Sequence, residues 1–370
     1  MDEARANELK AVWNGYLDGL KGLGDLVFRV TTPDDELTAA EGLRHLARLT
    51  RMGLESAVEF ADPDFPVIAT LVDATKKFGC DNPDTVYQRA VLNGAHRYRI
   101  SGSRGTVDYL SFITAKPGEA GRSHQVGHLD SKALAVDADG RFDIMLCPEP
   151  TPGNWLAVDA ETRSVGIRQT FLDRARETAA TLTIERLGEA GGPAPLTVPT
   201  IRERLANAGG FALYCAKLFT DWTEGYQAHP NRLPAADQEA CLRAGGDPNI
   251  YFYRSFWRLA PDEALVVRIA RIPACETWNL QVDNYWQESM DYRYHRSHLN
   301  KHTATVDPDG GVTAVIAHQD PGHPNWLDTA GHGLGHFAMR YVRAEAFVDP
   351  TTEVCKIADL TAVLARTGPA

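Results

Sequence analysis

Two stretches of the chain read as copies of each other, and this limits the folds open to it more than any other feature. HLDSKALAVDADG begins at His128 and HLNKHTATVDPDG at His298, 170 positions apart, with six of thirteen aligned residues identical. Asn154-Trp155-Leu156 is answered by Asn325-Trp326-Leu327 at a distance of 171. Two matches in the same order, one residue out of step, indicate an internal duplication. A strand-like run carrying an arginine follows each copy: SVGIRQTF with Arg168 and GHFAMRYV with Arg340. The chain therefore reads as two related domains. Function becomes the question of what one copy has and the other lacks.

Length agrees, since 370 residues exceed what one ordinary core organises. A hydrophobic content of 44% with 24% charged residues is that of a soluble globular protein. The net charge of −11 argues against nucleic acid or an anionic membrane as partner, because both ask for clustered Lys and Arg. Six cysteines without C-x-x-C spacing are too sparse for a disulfide framework and wrongly spaced for structural zinc. The polar opening MDEARANELK lacks a leader pattern, and no apolar run approaches the ~18 residues of a membrane span. The expectation is a cytoplasmic protein with reduced thiols.

The expected organisation is an N-terminal helical region (1–75), a first β-sandwich repeat (76–190), a helical insert (191–249), a second repeat (250–348) and a tail (349–370). Leu9, Val12, Trp13, Tyr16, Leu17 and Leu20 recur at helical spacing. A second helix is expected from Thr38, which has capping-box spacing to Glu41, with Leu43, Leu46, Ala47, Leu54, Ala57 and Val58 as its stripe. His45 falls on the polar side and is expected at the surface. From Asn82 the texture changes to short β-rich runs divided by Gly, Asp and Pro, the pattern of antiparallel sandwiches. Asp137-Ala-Asp-Gly140 and Asp307-Pro-Asp-Gly310 read as matching tight turns. In the insert, Phe211, Tyr214, Leu218 and Trp222 mark a helix from Thr200 to Tyr226.

Three segments carry a family resemblance: Lys76 to Phe112, with its Asn-Pro-Asp-x-x-Tyr and Tyr-Arg-x-x-Gly-x-Arg-Gly stretches; Trp278 to Trp286; and His318 to His332, with its Asn-Trp-Leu. They resemble the domain-of-unknown-function family numbered 1214, some of whose members are paired with a domain numbered 1254. The resemblance implies mainly β architecture with helical additions, two tandem jelly-roll-like antiparallel sandwiches, and oligomers in some members. It brings no established reaction, and fold alone would not supply one.

Histidine density is the strongest local signal. Seven of twelve (His295, His298, His302, His318, His323, His332, His336) lie within 42 residues of the second copy, and only His298 has a histidine counterpart, His128. Acid–base chemistry by His302, His318 and His332 with Glu288 and Asp328 is one reading, since an acidic partner fixes the imidazole tautomer. Trp278, Tyr285, Trp286 and Arg293 are the matching candidates for substrate binding, although such aromatics also suit a sandwich core. No metal is expected: His298/His302 and His332/His336 align with strands, where four residues span roughly 13 Å. No phosphate loop or nucleotide fingerprint is present, so no cofactor is expected.

Three functions remain open. The first is an enzyme acting on a small, largely apolar metabolite such as a lipid, terpenoid, sterol or aromatic compound, by hydrolysis or elimination. The second is a non-catalytic module binding carbohydrate or another small ligand, and the third is a homo-oligomeric scaffold.

Overall fold

In a computed structural model describing residues 1–119, 123–188 and 191–366, the two copies form sandwiches that share eight strands in the same order, the first adding β1 at an edge. Strands are numbered in chain order. The first repeat's inner sheet, facing the other repeat, runs β1 (Ala69–Val72), β2 (Thr85–Val91), β8 (Ser164–Thr170), β4 (Tyr109–Pro117) and β5 (Ser123–Asp130). Its outer sheet runs β7 (Asn154–Ala157), β6 (Arg141–Cys147), β3 (Tyr98–Ser103) and β9 (Thr181–Arg186). In the second repeat, β10 (Ile250–Arg258), β16 (Leu334–Val342), β12 (Thr277–Asp283) and β13 (His298–Asn300) reproduce the order of β2, β8, β4 and β5. Its outer sheet, β15 (Trp326–Asp328), β14 (Val312–Ala317), β11 (Glu263–Ile269) and β17 (Thr351–Lys356), reproduces β7, β6, β3 and β9. Even the parallel pair recurs, β6 with β7 and β14 with β15. The fold is mainly β with helical additions: two tandem jelly-roll-like antiparallel sandwiches. Strands extend outside the expected 76–190 and 250–348, since β1 begins at Ala69 and β17 ends at Lys356.

Side-chain alternation decides which face of each inner sheet is dry. Val86 and Ala90 of β2 join the first core, with Tyr98, Phe112 and Ile144, which leaves Tyr87 and Arg89 on the opposite face. Tyr253 and Trp257 of β10 join the second core, with Leu280, Phe337 and Met339, which leaves Phe252 and Arg254 opposite. The Asp-x-Asp-Gly turns form as expected, with Gly140 and Gly310 at φ of 73° and 85°.

Helices α1 (Glu3–Val27), α2 (Glu36–Leu54) and α3 (Val198–Tyr226) pack mainly on the second repeat, where Leu23, Val27, Leu49 and Phe219 meet Phe256, Tyr285 and Trp286, and α3 also meets Phe78 ahead of β2. The short α4 (Gln238–Arg243) and α5 (Leu360–Leu364) complete the set. Among the described residues no helix is long and apolar enough to cross a membrane.

Three sequence expectations are corrected in the helices. The cap of α2 is Asp35, whose carboxylate accepts the Thr38 N–H, so Glu41 is released from a capping role. On α1 the buried line is Tyr16, Leu23 and Val27, while Trp13 is 53% exposed. On α2, Leu43 is exposed whereas Glu41 and His45 are buried, because each finds a partner on the second repeat. Pattern reading assigns such residues to solvent, but a paired polar group is tolerated inside. Gly42 lies between them because a Cβ there would come within 2.7 Å of the Trp286 ring.

Candidate functional site

The polar faces of the two inner sheets meet across a cavity of about 270 Å³, and the duplication places equivalent arginines on both sides of it. Arg168 of β8 stands opposite Tyr87 of β2, as Arg340 of β16 stands opposite Phe252 of β10. Two residues along, Arg89 and Arg254 occupy the next equivalent positions. All four line the cavity, among apolar walls that include Leu71, Phe78, Ile113, Phe219 and Trp222.

The loop before each repeat covers the sheet of the other. Arg168 donates to the Gly245 carbonyl in the loop leading into the second repeat, and Arg340 donates to the Cys80 carbonyl in the loop leading into the first. Cys80 and Gly245 occupy the same position and share a left-handed backbone, with φ of 56° and 93°. That conformation strains Cys80 as it would not strain a glycine. The Asn82-Pro-Asp84 and Asp247-Pro-Asn249 turns follow, each with its first side chain accepting the third residue's N–H at 3.0 Å. Asn300 then donates to Asp84 (3.0 Å) and Asn249 to Asp130 (2.6 Å), the same bond with donor and acceptor exchanged. The shared histidines also sit at this seam: His298 faces Asp84 at 3.1 Å and His128 faces Asp247 at 3.5 Å. The repeats are interlocked reciprocally, and the cavity lies between the locks.

The four arginines differ in how they are satisfied. Arg340 donates to Gln281 Oε1 (2.6 Å) as well as to Cys80, and Arg168 has Asp247 at 3.8 Å and the Tyr87 ring beneath it. Arg254 is only 8% exposed and stacked between Trp222 and Phe252, yet its Nε and Nη1 have no partner. Arg89 has no hydrogen bond or ion pair among the described residues, and burial pushes its pKa down with no charge opposing the shift. The one carboxylate on the wall, Asp81, is occupied by the Ser289 N–H (3.0 Å) and hydroxyl (2.7 Å).

Behind Cys80, Asp283 is fully buried with Oδ1 accepting from Gln281 (2.6 Å) and Oδ2 unpartnered. Burial, and then the charge of Asp81, push its carboxyl up to about 7. Because the folded-state value lies above that of the unfolded chain, ionisation of Asp283 costs stability as pH rises through 7 and costs nothing below 4. Asp283→Asn is therefore expected to raise the melting temperature at pH 8, by about 2–4 kcal/mol in free energy, and to give no gain at pH 4. An equal gain at both pH values would contradict this assignment.

The catalytic and substrate-binding candidates named from sequence lie away from the cavity wall. His332 and Glu288 come together in one buried network at the junction of α2 with the second repeat. His332 Nδ1 donates to the Thr329 carbonyl (2.9 Å) and Nε2 to Glu41 (2.8 Å), a pattern that suits an imidazolium and raises its pKa despite burial. Asn284 bridges Glu41 (2.8 Å) to Glu288 (3.4 Å), and Glu288 accepts from His45 (3.0 Å) and Arg48. His318 lies nearby against Thr329 Oγ1 (3.0 Å) and the Ala260 carbonyl (3.1 Å). His302 is half-exposed at 3.4 Å from Asp173, and Asp328 holds His295 at 2.8 Å. Trp278 is in the second sandwich core, while Tyr285 and Trp286 pack under the helices, with Trp286 Nε1 donating to the Thr38 carbonyl. Arg293 is exposed and chelates Asp291. Among the described residues no three His, Cys, Asp or Glu side chains group as metal ligands.

Arg89 and Arg254 were missed by sequence reading, although Arg168 and Arg340 were already visible as equivalents. Continuing the repeat upstream aligns Asn82-Pro-Asp84 with Asp247-Pro-Asn249 and Arg89 with Arg254, at a spacing of 165 rather than 170.

Fold and site together define a duplicated β-sandwich protein with a guanidinium-lined cavity between its repeats. The chain belongs to the family described as "Protein of unknown function (DUF1214)", whose pattern matches residues 87–169 and 258–346, one stretch in each repeat. A crystal structure of an uncharacterized protein from Burkholderia cenocepacia is 46% identical, covers 95% of this chain and 98% of its own, and superposes with a TM-score of 0.93. The VPA0106 protein from Vibrio parahaemolyticus shares the fold at 12% identity, covering 85% of this chain and 97% of its own with a TM-score of 0.50. No curated protein matches the sequence.

Proposed function

We propose that the protein binds a small molecule joining an anionic group to an apolar body, held in the cavity between the repeats. The observation that carries this reading is Arg254, a buried guanidinium that lines the cavity with two nitrogens unpartnered among the described residues. Burying an unpaired charge costs several kcal/mol, and a bound carboxylate or phosphate oxygen would offset that cost with charge-assisted hydrogen bonds. The aromatic and aliphatic walls suit the rest of such a ligand. Acid–base turnover through His302, His318, His332, Glu288 or Asp328 has weaker support, because no histidine lines the cavity among the described residues.

The test is a thermal-shift titration with octanoate and its neutral isostere octanamide. Octanoate is expected to raise the melting temperature saturably, octanamide to have little effect, and Arg254→Met to remove the octanoate response. Equal shifts from acid and amide, or a full response in Arg254→Met, would reject recognition of the anionic group.

A further inference from the structure

We infer that the ligand carries two anionic groups, one at each end of an apolar spacer, and that each repeat recognises one of them. This rests on the binding reading above and goes further in naming the class: an α,ω-dianion, of which a linear dicarboxylate is the simplest form. Duplication is the first support. Arg89 and Arg254 hold the same register position in equivalent strands, two residues from Tyr87 and Phe252, so the cavity receives one matching guanidinium from each repeat.

Charge balance is the second support. Of the four arginines, Arg168 and Arg340 are engaged by the covering loops and by Asp247, Gln281 and Cys80. Arg254 keeps two unpartnered nitrogens, the Arg89 side chain has no hydrogen bond or ion pair among the described residues, and the one carboxylate they place on the wall, Asp81, accepts from the Ser289 N–H and hydroxyl. A monoanion held by Arg254 would leave the Arg89 guanidinium without a counter-charge at the outer end of the cavity, whereas a dianion neutralises both. The two ends need not be equivalent in depth. Arg254 lies fully inside, and Arg89 is partly exposed and also borders a small cleft with Phe60, so one anionic end seats deep and the other nearer the outside.

Two linked anions bind with an advantage that depends on whether the spacer matches the span between their sites. The experiment is calorimetric titration of the full chain with linear dicarboxylates from butanedioate to dodecanedioate and with monocarboxylates of the same lengths. Affinity of the diacids is expected to pass through an optimum with length, where the diacid binds at least about tenfold tighter than its monoacid. Arg89→Met should remove that advantage, so that diacid and monoacid of one length bind alike, and Arg89→Lys should restore part of it. Monoacids binding as tightly as diacids at every length, or an unchanged diacid advantage in Arg89→Met, would overturn two-ended recognition and leave the binding reading standing. If carboxylates of neither kind bind, the binding reading falls and this inference with it.

Discussion

Replacing Arg254 by methionine is expected to make the ligand-free protein more stable, by about 1–4 kcal/mol, while abolishing anion binding. The side chain is buried with Nε and Nη1 unpaired, so its desolvation is not met by hydrogen bonds. Of the ionisable neighbours that favour its charge, only Asp283 carries charge at neutral pH, and that in part, because its carboxyl is pushed up to about 7. Burial pushes the Cys80 and Cys241 thiols and the Tyr226 phenol up, so all three are uncharged there. Methionine has a similar reach and can keep the contacts with Trp222 and Phe252. Arg340 is the control, because Arg340→Met strips the Cys80 carbonyl of its donor and leaves Gln281 Oε1 with Asn279 alone, and should destabilise by about 2–3 kcal/mol. Urea denaturation of the two variants without ligand measures both. A loss of stability in Arg254→Met as large as that in Arg340→Met would mean that Arg254 is satisfied, and the cavity would lose its reason to recruit an anion.

The repeat carried most of the fold because duplicated sequence implies duplicated architecture, and the shared turns and Asn-Trp-Leu runs recur at equivalent places. It carried part of the site as well, since Arg168 and Arg340 end up facing one cavity. Arg89 and Arg254 were harder to see. The repeat spacing drifts from 170 to 165 ahead of them, and TVYQ and IYFY, the four residues before each, share only β propensity. The buried pair Glu41 and His45 on α2 could not be read from periodicity, because only the partners on the second repeat make burial tolerable. Those partners also account for histidines that the first copy lacks. The helices pack mainly on the second repeat, where His332 holds Glu41 of α2 and His336 holds Thr223 of α3 (3.0 Å). An asymmetry read from sequence as acquired chemistry thus has a packing role at two of its positions.

That role predicts a large stability effect at Glu288, which is fully buried and binds two cationic or polarisable partners on α2. Its own N–H is held by Asn284 Oδ1 at 3.0 Å, which fixes the loop that presents it to the helix. In Glu288→Ala the partly buried Arg48 guanidinium and the buried His45 imidazole lose their acceptor, and a void opens where the fully buried carboxylate stood. Breaking one partner of a buried ion pair in this way costs about 3–5 kcal/mol. Glu288→Gln should cost less, because an amide oxygen still accepts one of the two bonds. Arg48→Met combined with Glu288→Ala should be less damaging than the two single effects added, since the double variant leaves no orphaned guanidinium. Arg293→Ala, by contrast, removes an exposed side chain paired only with Asp291 and should change stability by less than about 0.5 kcal/mol. Hydrogen exchange adds a spatial check: in Glu288→Ala, protection should fall first in α2 and persist in the first sandwich, whose core does not touch this network. A Glu288→Ala variant within about 1 kcal/mol of wild type would show that the helices are held by their apolar face alone.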